Sequence, residues 1–152
     1  MTSEEVAQAV KEWALETVPA LNGGYAYLPA QKDQQLPDVV VDVAEVQVAR
    51  QMAEFPMSQI QQFWIHAFRC EVSFMVGNEN PEAAAQELRA AEALATASLM
   101  RDGTLGGRVD FISPYFSFDF TPPFVEYADG TRGREMVMRL SVGEPIEGSL
   151  GA

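Results

Sequence analysis

The sequence predicts an α+β domain: a mostly antiparallel sheet of about four or five strands, with two helices packed on one face. Three observations carry this reading. The stretch Gly77 to Gly107 (GNENPEAAAQELRAAEALATASLMRDGTLGG) contains a long helix with a start signal, a stop signal and a small-residue stripe. Phe63 to Val76 alternates, with Trp64, His66, Phe68, Cys70, Val72, Phe74 and Val76 on one side and Arg69, Glu71 and Ser73 on the other. That period of two marks a strand with one apolar face. Asp38 to Val48 is a Val-rich run of similar character. A helix stripe and an apolar strand face must bury each other, and the shared core follows.

Taken in order, Thr2-x-x-Glu5 has the form of a capping box. Val6, Val10, Trp13 and Thr17 recur at helical spacing, with Ala9 and Ala14 beside them, so a first helix runs to about Thr17. Pro19 and Asn22-Gly23-Gly24 end it. Tyr25 to Pro37 is rich in Pro and Gln and reads as a loop, with room for a short strand at Tyr25 to Leu28. In the strand that follows, Val39, Val41 and Val43 share a face that Asp42 does not. Gln47 to Ile60 reads either as a loop or as an extended hairpin, because Pro56 should interrupt a regular element.

In the main helix, Asn80 is placed to cap the start and Pro81 suits the first turn. Ala84, Leu88, Ala91, Ala95 and Leu99 fall on one stripe with Leu94 beside it, and Gly103 is expected to take the left-handed stop. Val109 to Phe120 is an aromatic strand that Pro114 should bulge or push to an edge. Phe124 to Tyr127 and Glu135 to Val142 flank Asp129-Gly130 as a hairpin, with Met136, Met138, Leu140 and Val142 on one face. A loose tail is expected from Gly143, and residues 1–152 read as one domain.

Composition narrows the function. The chain has 22 acidic and 10 basic residues, a formal charge of −12. That balance opposes affinity for nucleic acid and for anionic membrane surfaces, both of which depend on cations. The single Cys70 precludes an internal disulfide. The opening residues lack a basic segment followed by an apolar one, and no run approaches the roughly 20 apolar residues of a membrane span. Synthesis and folding in a cytoplasm are therefore expected.

The candidates for chemistry give way to plainer readings. His66 and Cys70 share a face but stand four residues apart, about 13 Å along a strand, which is too far for a nucleophile and its base. They read as core residues, and one His and one Cys do not build a zinc site. Asp102 to Gly107 is Gly-rich but follows a helix, the reverse of a phosphate cradle. Asp33, Asp38, Asp42 and Glu45 lack calcium-loop spacing and read as a solvated strand edge. Trp13 and Trp64 read as core anchors. No catalytic, cofactor or metal residue is assigned. Tyr25, Tyr27, Leu28, Phe55 and Met57 lie in loops the core should not cover, which makes them candidates for a protein interface.

The order of elements resembles the tail terminator proteins of long-tailed phages, the lambda type. The residues carrying the resemblance are Asn80-Pro81-Glu82 with its Ala-rich helix, Asp102-Gly103-Thr104-Leu105-Gly106-Gly107, and Tyr127-Ala128-Asp129-Gly130 before the last strand. The likeness of layout covers roughly Val6 to Val142, although each motif is also ordinary cap and turn chemistry. The resemblance implies a structural virion protein, not an enzyme. It would form a homo-hexameric ring at the head-proximal end of the tail, end polymerisation of the tube protein, and offer a joining surface to a head–tail connector or neck protein. DNA would pass through the ring without specific binding, and no cofactor or membrane is implied. Six copies at −12 each would carry about −72, which would keep phosphates from adhering. A related neck or tail-completion protein, or a small ligand-binding or enzymatic α+β domain, is the alternative.

Overall fold

The computed structural model describes residues 1–27, 35–55, 59–78, 80–113, 115–120, 125–126 and 132–146, with backbone alone for 50–55, 59–63, 125–126 and 132. The chain runs α1 (Ser3–Thr17), β1 (Gly23–Tyr25), β2 (Asp38–Phe55), β3 (Gln59–Val76), α2 (Pro81–Arg101), β4 (Phe111–Ile112), β5 (Ser117–Phe120), β6 (Val125–Glu126) and β7 (Arg132–Pro145). The fold class is α+β. The sheet differs in detail from the expectation: among the described residues it has seven strands, and it is mixed. β1 joins β2 in parallel, while β2–β3, β3–β7 and the pairings of β4, β5 and β6 with β7 are antiparallel.

Both helices start as their sequences dictate. The Thr2 hydroxyl accepts from the Glu5 amide at 3.2 Å and donates to the Glu5 carboxylate. The Asn80 side chain accepts from the amides of Glu82 and Ala83, and Pro81 stands where no amide is needed. α1 buries Val6, Val10, Trp13 and Ala14, and α2 buries Ala84, Leu88, Ala91, Ala95 and Leu99. These side chains join Val39, Val41, Phe68, Val72, Phe74, Met136, Met138 and Leu140 in one core, so both helices cover the same sheet face. The Trp13 indole N–H donates to Ser98 Oγ at 3.0 Å and ties the helices together. Leu94, expected beside the stripe, is 45% exposed.

The turn after α2 departs from expectation. The left-handed conformations fall at Leu105 (φ 53°), Gly106 (φ 72°) and Gly107 (φ 83°), not at Gly103. Asp102 caps the helix instead, because its carboxylate gathers the local donors: the Thr104 amide and hydroxyl on one oxygen and the Gly106 amide on the other. Those bonds hold its pKa below the ordinary Asp value, the Thr104 hydroxyl contributing most. Leu105, strained for a branched residue, is buried in the core.

Gln47 to Ile60 resolves in favour of the hairpin: β2 and β3 stay paired from Asp38↔Met75 to Phe55↔Gln59, and only 56–58 lie outside the described residues. A bulge between Val43 and Glu45 shifts the register. It puts Val46 and Val48 opposite Phe68 and His66, on the helix side of the sheet. At the other end of the chain β7 continues to Pro145, so Gly143 belongs to the sheet and not to a tail. A Cβ at Gly143 would collide with the Phe111 ring.

Candidate interaction surface

The five residues singled out from sequence do not converge. Tyr27 is 70% exposed beyond β1, and Tyr25 is half-buried within it. Phe55 ends β2, fifteen residues beyond Val40, which pairs with Tyr25. At about 3.3 Å per residue that separation is about 50 Å. Leu28 and Met57 lie outside the described residues. One patch cannot include both Tyr25 and Phe55, so the structure offers two separate regions.

The first region is the β2–β3 hairpin. Each of its strands has 18 residues, about 60 Å, whereas the 21 residues of α2 span about 32 Å. The helices therefore cover about half of the hairpin. Val46, Val48 and Trp64 lie past the helices and are 46%, 58% and 46% exposed. Trp64 is thus not the core anchor expected from its place in the alternation. β7 pairs with β3 only as far as Ile65↔Pro145, after which the Ile146 amide donates to the Trp64 carbonyl. Beyond that point the described strands of the arm pair only with each other. On the opposite side, β1 pairs with just three residues of β2, Asp38 to Val40.

The second region is the other edge of the sheet. The strand expected over Val109 to Phe120 is divided: β4 and β5 are separate short pieces, each on β7. Phe111, Tyr115 and Phe120 along this edge are all exposed, Tyr115 most of all at 85%. The Arg134 guanidinium stands 5.7 Å above the Phe120 ring.

The face away from the helices is polar. Arg69 pairs with Glu45 at 3.3 Å, and Arg139 pairs with both Glu71 and Asp119. Glu45, Arg69, Glu71 and Arg139, with Tyr115, line a shallow depression of about 500 Å³. A charged ligand there would have to displace ion pairs that already satisfy both arginines. Of the acidic group expected at a solvated edge, Asp42 and Glu45 are exposed but Asp38 is fully buried at the start of β2. Among the described residues, no three His, Cys, Asp or Glu side chains are grouped to hold a metal ion. None of the helices is long and apolar enough to cross a membrane, again among the described residues.

His66 and Cys70 diverge in environment. Cys70 is buried among the core residues, and burial pushes its thiol up to about 12. His66 is a partly exposed residue whose Nδ1 lies 3.3 Å from Glu144 Oε1. The same carboxylate oxygen accepts from the Met1 ammonium at 2.7 Å. Partial burial pushes Glu144 up, but the bonds from Met1 and His66 outweigh it and leave the carboxyl below its ordinary pKa. The ammonium is raised in return, chiefly by its bond to Glu144. The cluster pins the N-terminus to the end of β7; its groups are all mutually engaged.

Comparison with protein-family models gives no match. Comparison with curated proteins likewise gives none.

Sequence reasoning passed over Val46, Val48, Phe111 and Tyr115. The signal for the first two was present in the strand length: an arm about twice as long as its helix must leave residues uncovered.

Proposed function

We propose that the protein is a structural component of a phage tail, a terminator that assembles as a ring at the end of the tail tube and stops its growth. The motifs of the sequence support the reading, since Asn80-Pro81 and Asp102 to Gly107 bound the long helix as the resemblance requires. The observation that carries it furthest is the shape of the sheet: one face is covered by helices, while among the described residues open strand edges remain on both sides. Such a sheet can be extended laterally by further copies, which is what a ring needs. The polar face, with its ion pairs Glu45–Arg69 and Glu71–Arg139, suits a wall past which DNA moves without adhering. The partners on this reading are other copies of the chain, the tube protein and a head–tail connector or neck protein; the site is the head-proximal end of the virion tail.

The test is electron microscopy of tails assembled with and without the protein. The expected result is a ring of six copies at the tube end, and tubes of uncontrolled length when the protein is withheld. Tubes of normal length without it would end the proposal. Purified protein should also fail to retain duplex DNA at any salt concentration; retention at low salt that is lost as salt rises would reveal a basic groove incompatible with this reading.

A further inference from the structure

We infer that the β2–β3 arm is the element by which one copy of this chain grips the next, and that it docks against the aromatic β4–β5 edge of that neighbouring copy. The inference rests on the ring reading for closure into a ring; the contact itself is argued from the structure.

The arm needs a partner. Between Arg50 and Trp64 the described backbone is a two-stranded ribbon, and such ribbons are marginally stable in water by themselves. Its base presents Val46, Val48 and Trp64, an apolar continuation of the core face that the helices do not reach.

Charge indicates what the partner is. Residues 46–65 (VQVARQMAEFPMSQIQQFWI) contain only Arg50 and Glu54, which cancel. The whole formal charge of −12 therefore resides in the rest of the chain. Over the rest of the chain the balance is acidic, so contacts between two copies there meet on average like charge and the cost of desolvating carboxylates. The arm approaches another copy with little of that cost. Its exposed apolar side chains among the described residues, Val46, Val48 and Trp64, suit an interface core.

The complementary surface is on the same molecule, at the far side of the sheet. Phe111 in β4, Phe120 in β5 and Tyr115 between them are exposed there, Phe111 and Tyr115 toward the polar face and Phe120 on the face of its pair Met136; the outer edges of β4 and β5 are open among the described residues. Because arm and aromatic edge lie on opposite sides, copies join head to tail. A contact of this kind repeats, and closes into a ring where its rotation divides a full turn, whereas an arm-to-arm contact would stop at a pair.

The experiment uses two full-length variants, Gln61→Cys on the arm and Ser117→Cys on β5, with the buried Cys70 as a silent background. Each is treated alone and in an equimolar mixture with a bis-maleimide at high protein concentration, which traps even weak contacts. Cross-linked dimers should be at least tenfold more abundant in the mixture than in either variant alone. Cross-linking of Gln61→Cys with itself would show arm-to-arm pairing and overturn the inference, as would no cross-linking in any sample. A third variant replaces residues 51–63 by Asn-Gly, closing the paired residues Arg50 and Trp64 with a two-residue turn. It should keep a cooperative thermal transition and lose self-association at least tenfold by sedimentation; undiminished association would also overturn the inference. Cross-links without capped tubes would leave the contact standing and remove the terminator reading. Capped tubes without cross-links would do the reverse.

Discussion

Leu88→Ala tests the packing of α2 on the sheet. Leu88 is fully buried at the centre of the helix stripe, between Ala84 and Ala91 and within the core that includes Phe74 and Met136. The change removes three carbons, worth about 0.8 kcal/mol each in transfer, or about 2.4 kcal/mol. Its surroundings include Phe74, Val76 and Ala91 and the loop residues Val18, Leu21 and Pro37, so the space closes only in part. A residual cavity of tens of Å³ adds about 1 kcal/mol, for a total of about 3–4 kcal/mol. In a chain of this size the melting temperature should fall by about 10 °C. Leu94→Ala is the matched control: the same helix and the same chemistry, but 45% exposed, with an expected cost below about 0.5 kcal/mol. The assay is thermal and urea unfolding of the wild type and both variants. If Leu88→Ala lowers stability no more than Leu94→Ala, the helix does not lie on the sheet as described. Phe68→Ala, at 3% exposure across the interface, should cost at least as much as Leu88→Ala.

Two further predictions concern the turn after α2 and the pinned N-terminus. Gly107→Ala places a Cβ in open space but at φ 83°, so urea unfolding should show a loss of about 1 kcal/mol from backbone strain alone, whereas Gly103→Ala, which meets only Ile112 at an ordinary 3.9 Å, should be nearly neutral. Equal effects at the two positions would contradict the assignment of the left-handed residues. The Glu144 cluster should give stability a defined pH window. The Glu144 pKa is lowered on folding, so its contribution is present above the unfolded carboxylate value and is lost as pH falls through the folded one. The Met1 ammonium is raised above 8.0, so its contribution is present below pH 8.0 and is lost as pH rises through the folded value. Glu144→Gln should flatten the stability profile at both ends in denaturant titrations at acid, neutral and alkaline pH; an unchanged profile would show that the contacts do not form in solution.

Much of the fold was legible because local chemistry determines it. Thr2, Asn80 and Pro81 announce helix starts that need only neighbouring amides, and the apolar periods of α1, β3 and α2 record which side faces the core. What failed depended on distance. Nothing local distinguishes Trp64 from Phe68 within the alternation; Phe68 is buried in the core shared with the helices, whereas Trp64 stands outside that core and is exposed. Gly103 looked like the natural stop, but the Asp102 carboxylate captured the amides of Thr104 and Gly106 and moved the left-handed turn two residues on. The interface candidates were chosen from apparent loops. The structure separates Tyr25 from Phe55 by the length of β2, a separation that only strand pairing could establish.

The central position of β3 has a consequence for the order in which the molecule can be built. β3 pairs with β2 across a short connection, but its partners in β7 lie 58 to 80 residues further along, from Val76↔Arg134 to Ile65↔Pro145. On the ribosome, α1, the hairpin and α2 can all emerge and associate while Phe68, Val72 and Phe74 still lack Met136, Met138 and Leu140 beside them. Such a half-closed core exposes apolar surface and an unpaired strand, the state in which nascent chains pair wrongly. Completion waits for the last strand, and since β4, β5 and β6 all attach to β7, the entire far edge of the sheet forms in that same closing step.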